Sequence, residues 1–377
     1  MGKSFTSSGT WLYVISDVNN SQAFENFFKA IRPSNNDIHI LFLYPYAPEL
    51  QIKCDQLGYK TKWIKYNSKK SIPKVFLKVC YQIIQLRPKL IHNHLFDASL
   101  IGLFASWILK VKIRIHTRHH ASMHHEYFPH VVKYDNMINI FSTKIIAVSE
   151  NIRTILIEKE NVQSKKIKVI YHGFDLSNFN NVNSTRIIEL QKKYNIEKNA
   201  FVVGMISRYT HWKGIQYVIP AFKKLLMEFP HSVLVLANAS GDYTTEIKSL
   251  LKNLPVESYR EISFEKDSPS LFKMFNVFVH VPIDDHSEAF GQVYVEALAA
   301  KCPTIFTISG IAKEFIIPDK NSTVVPFCNS EAIYFALRNQ IIDPAKTESL
   351  VLNGFNDVHK HFAIEMMIDK TLECYAN

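Results

Sequence analysis

The chain has only five cysteines among its 377 residues (Cys54, Cys80, Cys302, Cys328 and Cys374), and none stands at C-x-x-C or Cys/His spacing. That excludes a disulfide framework and a structural zinc site, and it fits a reducing compartment. No apolar run reaches the roughly 18 uninterrupted residues of a membrane span; the nearest, LFDASLIGLFASWILK, is short and carries Asp97. The opening MGKSFTSSGT lacks the apolar core of a signal peptide, although Gly2 and Thr6 match the loose myristoylation pattern. A cytoplasmic protein is therefore expected. Low-complexity stretches and short repeats are absent too, and 47% apolar with 21% charged residues is the composition of a folded globular chain.

Charge is present but unevenly spread. Up to Asp175 there are 24 Lys and Arg against 12 Asp and Glu, whereas the remainder has 20 against 22. The whole net charge of +10 thus comes from the first half. Such a half attracts polyanions: nucleic acid, anionic headgroups or phosphorylated substrates. Its densest part, KTKWIKYNSKKSIPKVFLKVCYQIIQLRPK, runs from Lys60 to Lys78 into a helix-like pattern with apolar Val75, Phe76, Val79, Cys80, Ile83 and Ile84. Two readings stay open, a solvated basic face over a core-facing stripe or a membrane-surface patch.

At this length two domains are expected. Short β-rich runs alternate with amphipathic segments, the signature of parallel sheets built from βα units. WLYVIS, IHILFLY, KLIHNH, KIRIHT and KIIAVS precede KIKVIYHGFD, with a helix over Ala23–Ile31; the pattern restarts with FVVGMIS, SVLVLAN, REISF, VFVHVP, PTIFTI and STVVPF. This predicts an α/β protein with two Rossmann-like, doubly wound parallel-sheet domains facing across a cleft. The polar segment LSNFNNVNSTR places their junction near residues 175–186. Domains of 1–175 and 176–357 follow, with a last helix over His359–Tyr375, within 358–377, folding back on the first domain.

Three stretches of the second half fall at strand ends. In VVGMISRYTHWKG, Gly204 sits inside a strand, Arg208 follows it, and Lys213 with Gly214 opens a helix. A guanidinium and an ammonium there can converge on a diphosphate, or can simply serve solubility. HSEAFGQVYVEALAAKCPT places Glu288, Ala289 and Phe290 ahead of a helix starting near Gly291, with Glu296 in its second turn. A helix N-terminus favours an anion. Eight positions span at most about 12 Å if helical, enough to put one acid on each sugar ring of a nucleotide sugar, whose hydroxyls would supply the hydrogen bonds that flanking carboxylates need. In TISGIAKEF, Ser309 and Gly310 could bring backbone amides to a ligand or form a plain βα turn.

SRYTHWKG, SEAFGQVYVEALAAKCPTI and SGIAKE, in that order, resemble the donor-binding signature of family 4 retaining glycosyltransferases with the GT-B fold. Glu288 and Glu296 match that family's E-x7-E motif, and HTRHHA, KIIAVSENIR and VIYHGFD resemble its upstream motifs, so the likeness runs from about Leu90 to the end. The resemblance implies that Arg208 and Lys213 neutralise the departing diphosphate, Glu288 contacts donor-sugar hydroxyls, Glu296 binds the ribose diol, and His119 lies near the reacting carbon. It implies no metal and no cofactor beyond the nucleotide diphosphate sugar as donor, because Arg, Lys and a helix start stabilise the leaving charge. The expected acceptor is a saccharide carried on a lipid diphosphate at the inner membrane face, in cell-surface polysaccharide or lipopolysaccharide synthesis. The segment SDVNNSQAF, from Ser16 and Asp17 to Phe24, departs from the family by having no glycine; SGIAKE has one where two are usual, and His172 replaces a frequent Asn. Donor base contacts would come from near EISFEK, around Phe264.

The histidines of HTRHHASMHHEYFPH, including His119, His120, His124 and His125, could face an acceptor, bind metal or supply surface polarity; without H-E-x-x-H spacing no metal is expected. Asp284 and Asp285 read as caps rather than as a metal pair. A nucleotide-sugar epimerase or a phosphorylase-like enzyme would fit the same fold. Nucleic-acid binding would need a recognition motif that the basic half lacks, so no nucleic-acid partner is expected.

Overall fold

The structure, a computed structural model, describes residues 9–31 and 36–376; Gly2 and Thr6 lie outside them. The chain divides into two compact units, one of residues up to Phe174 together with those from Ile364, the other from Asp175 to Ala363. Asp175 and residues 358–363 therefore belong to the second unit, a small shift from the sequence-based borders.

The first unit is built on a seven-stranded parallel sheet: β1 Thr10–Ser16, β2 Asp37–Tyr44, β3 Lys60–Lys65, β4 Leu90–His94, β5 Ile113–Arg118, β6 Lys144–Ala147 and β7 Ile167–Val169, in the order β3-β2-β1-β4-β5-β6-β7. The second has six parallel strands, β8 Phe201–Ile206, β9 Ser232–Ala237, β10 Tyr259–Ile262, β11 Val277–His280, β12 Thr304–Phe306 and β13 Thr323–Val324, in the order β10-β9-β8-β11-β12-β13. Central strands such as β4 and β9 are buried at every position because helices cover both sheet faces; all six residues of SVLVLA in β9 are buried. Strand order reverses between β1 and β4, and again between β8 and β11. At such switch points the loops after the strands diverge and leave room for a ligand.

Two elements differ from the sequence expectation. KTKWIK is not a lead-in to a helix but the edge strand β3, paired with β2 on one side only. Its alternating lysines hide the strand period and keep an exposed edge from pairing with other chains. The expected helix over His359–Tyr375 is two helices, Pro344–His361 and Ile364–Ala376, with Phe362 buried at the break.

The helix Ile364–Ala376 joins the core that contains Tyr13 and Phe28. Tyr375 is its anchor: its hydroxyl meets the Tyr13 hydroxyl at 2.9 Å and His92 Nδ1 at 2.5 Å, its ring stands edge-on to Trp11, and Lys144 Nζ donates to the Cys374 carbonyl. Tyr375→Phe leaves two buried polar groups short of a partner and should lower unfolding free energy by about 1–3 kcal/mol. Tyr375→Ala, which also empties the ring's site, should lower it by about 3–5 kcal/mol. Urea unfolding of the two variants gives the comparison, and equal losses would contradict the hydrogen-bonded anchor.

Candidate active site

In the second unit the loops after β8, β11 and β12 come together, and glycines set how closely. Gly214, at φ +77°, caps the helix Ile215–Glu228; a Cβ there would lie 1.9 Å from the Val281 carbonyl oxygen. Ile283 N donates to Trp212 O, which ties the same two loops again. Gly291, at φ +81°, is the N-cap of the helix Gln292–Ala299. Gly310, at φ +55°, rests against Glu288, whose Cγ would be 2.8 Å from an added Cβ, while Ile311 N donates to Phe290 O. The left-handed backbone at these positions favours glycine, and the close approaches leave no space for a side chain.

Glu288 occupies the centre. Its carboxylate is buried and accepts from Lys213 Nζ at 2.6 Å and from His280 Nε2 at 3.3 Å. Burial alone would raise this carboxyl, but the Lys213 ammonium and His280 outweigh it and hold it down at about 2. Burial keeps His280 below its ordinary value, hence neutral, with the Nε2 hydrogen toward Glu288. Lys213 also lies 4.1 Å over the Trp212 ring. Arg208 is exposed, and among the described residues its guanidinium has no acidic partner.

Glu296 contrasts with Glu288. It stands in the second turn of the helix Gln292–Ala299, half-buried, and among the described residues its carboxyl has no hydrogen-bond or ion-pair partner. Burial pushes it up to about 7. Four more polar atoms at the same strand ends are buried without a partner: Ser207 Oγ, Thr210 Oγ1, His280 Nδ1 and Ser309 Oγ. Orphaned polar groups in such number at one edge of a sheet mark a place for a polar ligand or ordered water.

Several sequence candidates do other work. Gly204 lies inside a strand as expected, within β8 and paired with Val235 and Phe278, but the space left by its missing side chain is filled by the Phe275 ring, 2.2 Å from an added Cβ, rather than left for a ligand. Phe290 is buried edge-on to Phe362, so its ring packs rather than facing a ligand, and Ala289 beside it is half-buried. Phe264 is an exposed loop residue beyond β10. Asp284 accepts from the amides of His286 and Ser287 and from the Ser287 hydroxyl, fixing the loop ahead of Glu288. Sequence reasoning missed His280; its signal is the one polar side chain in VFVHVP, at the last residue of β11.

The first unit holds a separate cluster. His119 follows β5 and meets His94 Nδ1 through Nε2 at 3.3 Å, and its ring stacks on His172 at 5.5 Å. Burial and the neighbouring imidazoles hold His94 and His119 well below the ordinary histidine value, so both are neutral. Asp17 takes the left-handed conformation, φ +53°, in the loop that has no glycine, and Ser16 Oγ accepts from Ala98 N, which makes it a cap for the helix Phe96–Ile108. The adjacent His120, His124 and His125 are drawn into a buried ionic cluster. Arg118, fully buried, pairs with Asp135 at 2.8 Å and Glu160 at 2.6 Å; His124 Nδ1 meets Asp135 at 2.7 Å and His125 Nε2 meets Glu160 at 3.0 Å. His120, His124 and Asp135 are close enough to share a metal ion. The Arg118 guanidinium, already on the same Asp135 oxygen that faces His120, opposes a second cation there.

Sequence comparison agrees with this geometry. Residues 186–357 match the model of glycosyl transferases group 1, and residues 30–178 match that of glycosyltransferase family 4. The two sheets and these matches define a GT-B glycosyltransferase. The chain belongs to the family 4 type of that fold. It is 25% identical over 356 residues, 92% of this chain and 91% of the relative, to the capsular polysaccharide biosynthesis glycosyltransferase CapM of Staphylococcus aureus. An uncharacterized glycosyltransferase of Methanocaldococcus jannaschii is 25% identical over 62% of this chain, which spans 60% of that protein's length. Among solved structures, HepE of Anabaena in complex with UDP and glucose superposes with a TM-score of 0.84 over 98% of this chain and 99% of its own, at 20% identity, a likeness of fold.

Because the raised Glu296 binds its proton more tightly folded than unfolded, its contribution to stability is full below about pH 4.5 and is lost as pH rises through about 7. Glu296→Gln removes that dependence. The variant should melt at the native temperature at pH 4 and above it at pH 8, by scanning calorimetry. A lower melting point at pH 8 would mean the carboxylate is stabilised in the folded chain.

Proposed function

We propose that the protein is a retaining hexosyltransferase that moves a sugar from a nucleotide diphosphate donor to a hydroxyl of a saccharide acceptor, without a metal ion. The observation that carries this reading is the buried Lys213–Glu288 pair, together with an unpartnered Glu296 and an unpaired Arg208, on the loops and helix that follow β8 and β11 at the switch point of the second sheet. Lys213 has three donor hydrogens, so one can remain on Glu288 while another reaches a phosphate oxygen. Arg208 adds a planar fork for the same diphosphate. Glu288, kept ionised, accepts from hydroxyls of the transferred sugar, and Glu296 is left to hydrogen-bond the ribose diol.

In the reaction the bond between the anomeric carbon and the diphosphate oxygen breaks as the acceptor oxygen forms a new bond on the same face. The acceptor proton passes to the leaving diphosphate, and the sugar crosses an oxocarbenium-like state. Lys213 and Arg208 stabilise the charge that grows on the diphosphate, the work a divalent ion does elsewhere. His119, held neutral by burial and the neighbouring imidazoles, is suited to hydrogen-bond a hydroxyl of a saccharide without adding charge. CapM, a relative along nearly the whole chain, is named for capsular polysaccharide biosynthesis, which supports a saccharide acceptor in cell-surface polysaccharide synthesis.

UDP- and GDP-sugars added to the protein should raise its melting temperature, because a ligand of the folded state alone stabilises it. Arg208→Ala, an exposed and unpaired position, should leave the ligand-free melting point unchanged and lower kcat/KM by about 10²–10³; unchanged turnover would refute the diphosphate role. Full activity in EDTA is expected, and a loss restored by magnesium would refute metal independence. Incubation with donor alone separates an epimerase, which converts it, from a transferase, which needs an acceptor.

A further inference from the structure

The helix Ile72–Leu86 has two apolar sides. One buries Val75, Val79 and Ile83 against the sheet. The other presents Leu77, Tyr81 and Ile84, spaced i, i+4, i+7, to solvent, 68%, 56% and 54% exposed. Ile84 thus lies outside the core that the sequence pattern assigned it to. Beside this stripe runs the edge strand β3, and between them lies a groove of about 470 Å³ floored by Leu41 and Ile64, walled by Trp63, Leu77 and Tyr81, and rimmed by Lys62 and Lys78. From Gln56 to Phe96 there are nine Lys and Arg and no Asp or Glu. Lys62, Lys65, Lys69, Lys70, Lys74 and Lys78 are all exposed, and among the described residues none has a carboxylate partner.

A merely solvated helix mixes acids with bases and pairs them along its face, and here no acid is present. Nucleic acid would use the lysines but leave three large aliphatic and phenolic groups in water. An anionic bilayer takes both: the lysines reach phosphate groups while their stems and the Leu77–Ile84 stripe enter the boundary with the acyl chains, and Trp63 and Tyr81 sit at headgroup level. We infer that this face of the first unit, the helix Ile72–Leu86 with β3, docks on an anionic lipid surface. Among the described residues no helix is long and apolar enough to cross a membrane, so the contact is peripheral.

The test uses the full chain with vesicles of phosphatidylcholine alone or with roughly one-third phosphatidylglycerol, separated by flotation. Binding is expected to the anionic vesicles, with at least about tenfold weaker binding in high salt. Lys74→Glu with Lys78→Glu should weaken it at least about tenfold, and Leu77→Ser with Ile84→Ser should weaken it with every lysine intact. Lys223→Glu with Lys252→Glu, the same charge change at exposed positions of the second unit, should not. All three variants should keep the native melting point. The proposal is overturned by no binding to anionic vesicles, by equal loss in the control variant, or by binding to duplex DNA that replaces binding to vesicles. The donor reading has its own readout: a chain that binds vesicles but no nucleotide sugar overturns that reading alone, and the converse overturns the docking face alone.

Discussion

A buried carboxylate that must stay ionised organises the second unit. Glu288 has little contact with water, so its charge has to be met by protein groups. One comes from the loop after β8, as Lys213, and another from the end of β11, as His280. The loop after β12 closes over the same side chain through Gly310. One side chain therefore meets three loops separated in sequence: its charge ties the loop after β8 to the end of β11, and its methylene packs against Gly310 after β12. Breaking the pair from the lysine side would leave the carboxylate buried and uncompensated, a cost of about 3–5 kcal/mol.

The second glutamate shows why spacing alone does not define a role. Glu288 and Glu296 are the same residue type eight positions apart, yet one is driven down to about 2 and the other up to about 7. The difference lies in partners: Glu288 has a cation and an imidazole, while Glu296 meets desolvation with nothing to offset it. An unpartnered, half-buried carboxyl gains from any ligand that brings hydroxyls, because those hydroxyls replace the lost water. In the proposed reading, that asymmetry leaves Glu296 to be satisfied by the ligand, with Glu288, already satisfied, to orient it.

Much of this was legible in the sequence. Strands such as SVLVLA and FVVGMIS announce parallel sheets because they are buried on both faces, and SEAFGQVYVEALAAK announces a loop feeding a helix start. What was not legible depended on contacts between distant residues. KTKWIK reads as the basic lead-in to a helix because its lysines, facing solvent on an edge strand, hide the strand pattern. Gly204 looks like a ligand glycine until Phe275 is seen filling its space. His280 is a single polar letter in an apolar strand and acquires meaning only when Glu288 folds beneath it. The crowded histidines carry no local hint that Arg118, Asp135 and Glu160 bury beside them, since Glu160 is 42 residues from Arg118.

The distribution of charge completes the picture. If long-range attraction alone drew in the donor's diphosphate, the cations of the chain would gather in the second unit. Yet the half after Asp175 carries more acids than bases, 22 against 20, and the groups proposed to meet the diphosphate are two individual cations, Arg208 and Lys213, on one loop. Around His119 the imidazoles are neutral, so the excess of the basic half does not concentrate there either. It concentrates on the unpaired lysines of β3 and the helix Ile72–Leu86, a helix whose buried side packs on a sheet-face cluster different from the one joined by the C-terminal helix. Self-repulsion among unpaired lysines destabilises the free chain and is relieved when a polyanion covers them. The excess charge thus belongs to residues other than those proposed to meet the donor, and the exposed leucine, tyrosine and isoleucine beside the lysines suit the anionic lipid surface inferred above, which is apolar beneath its charge.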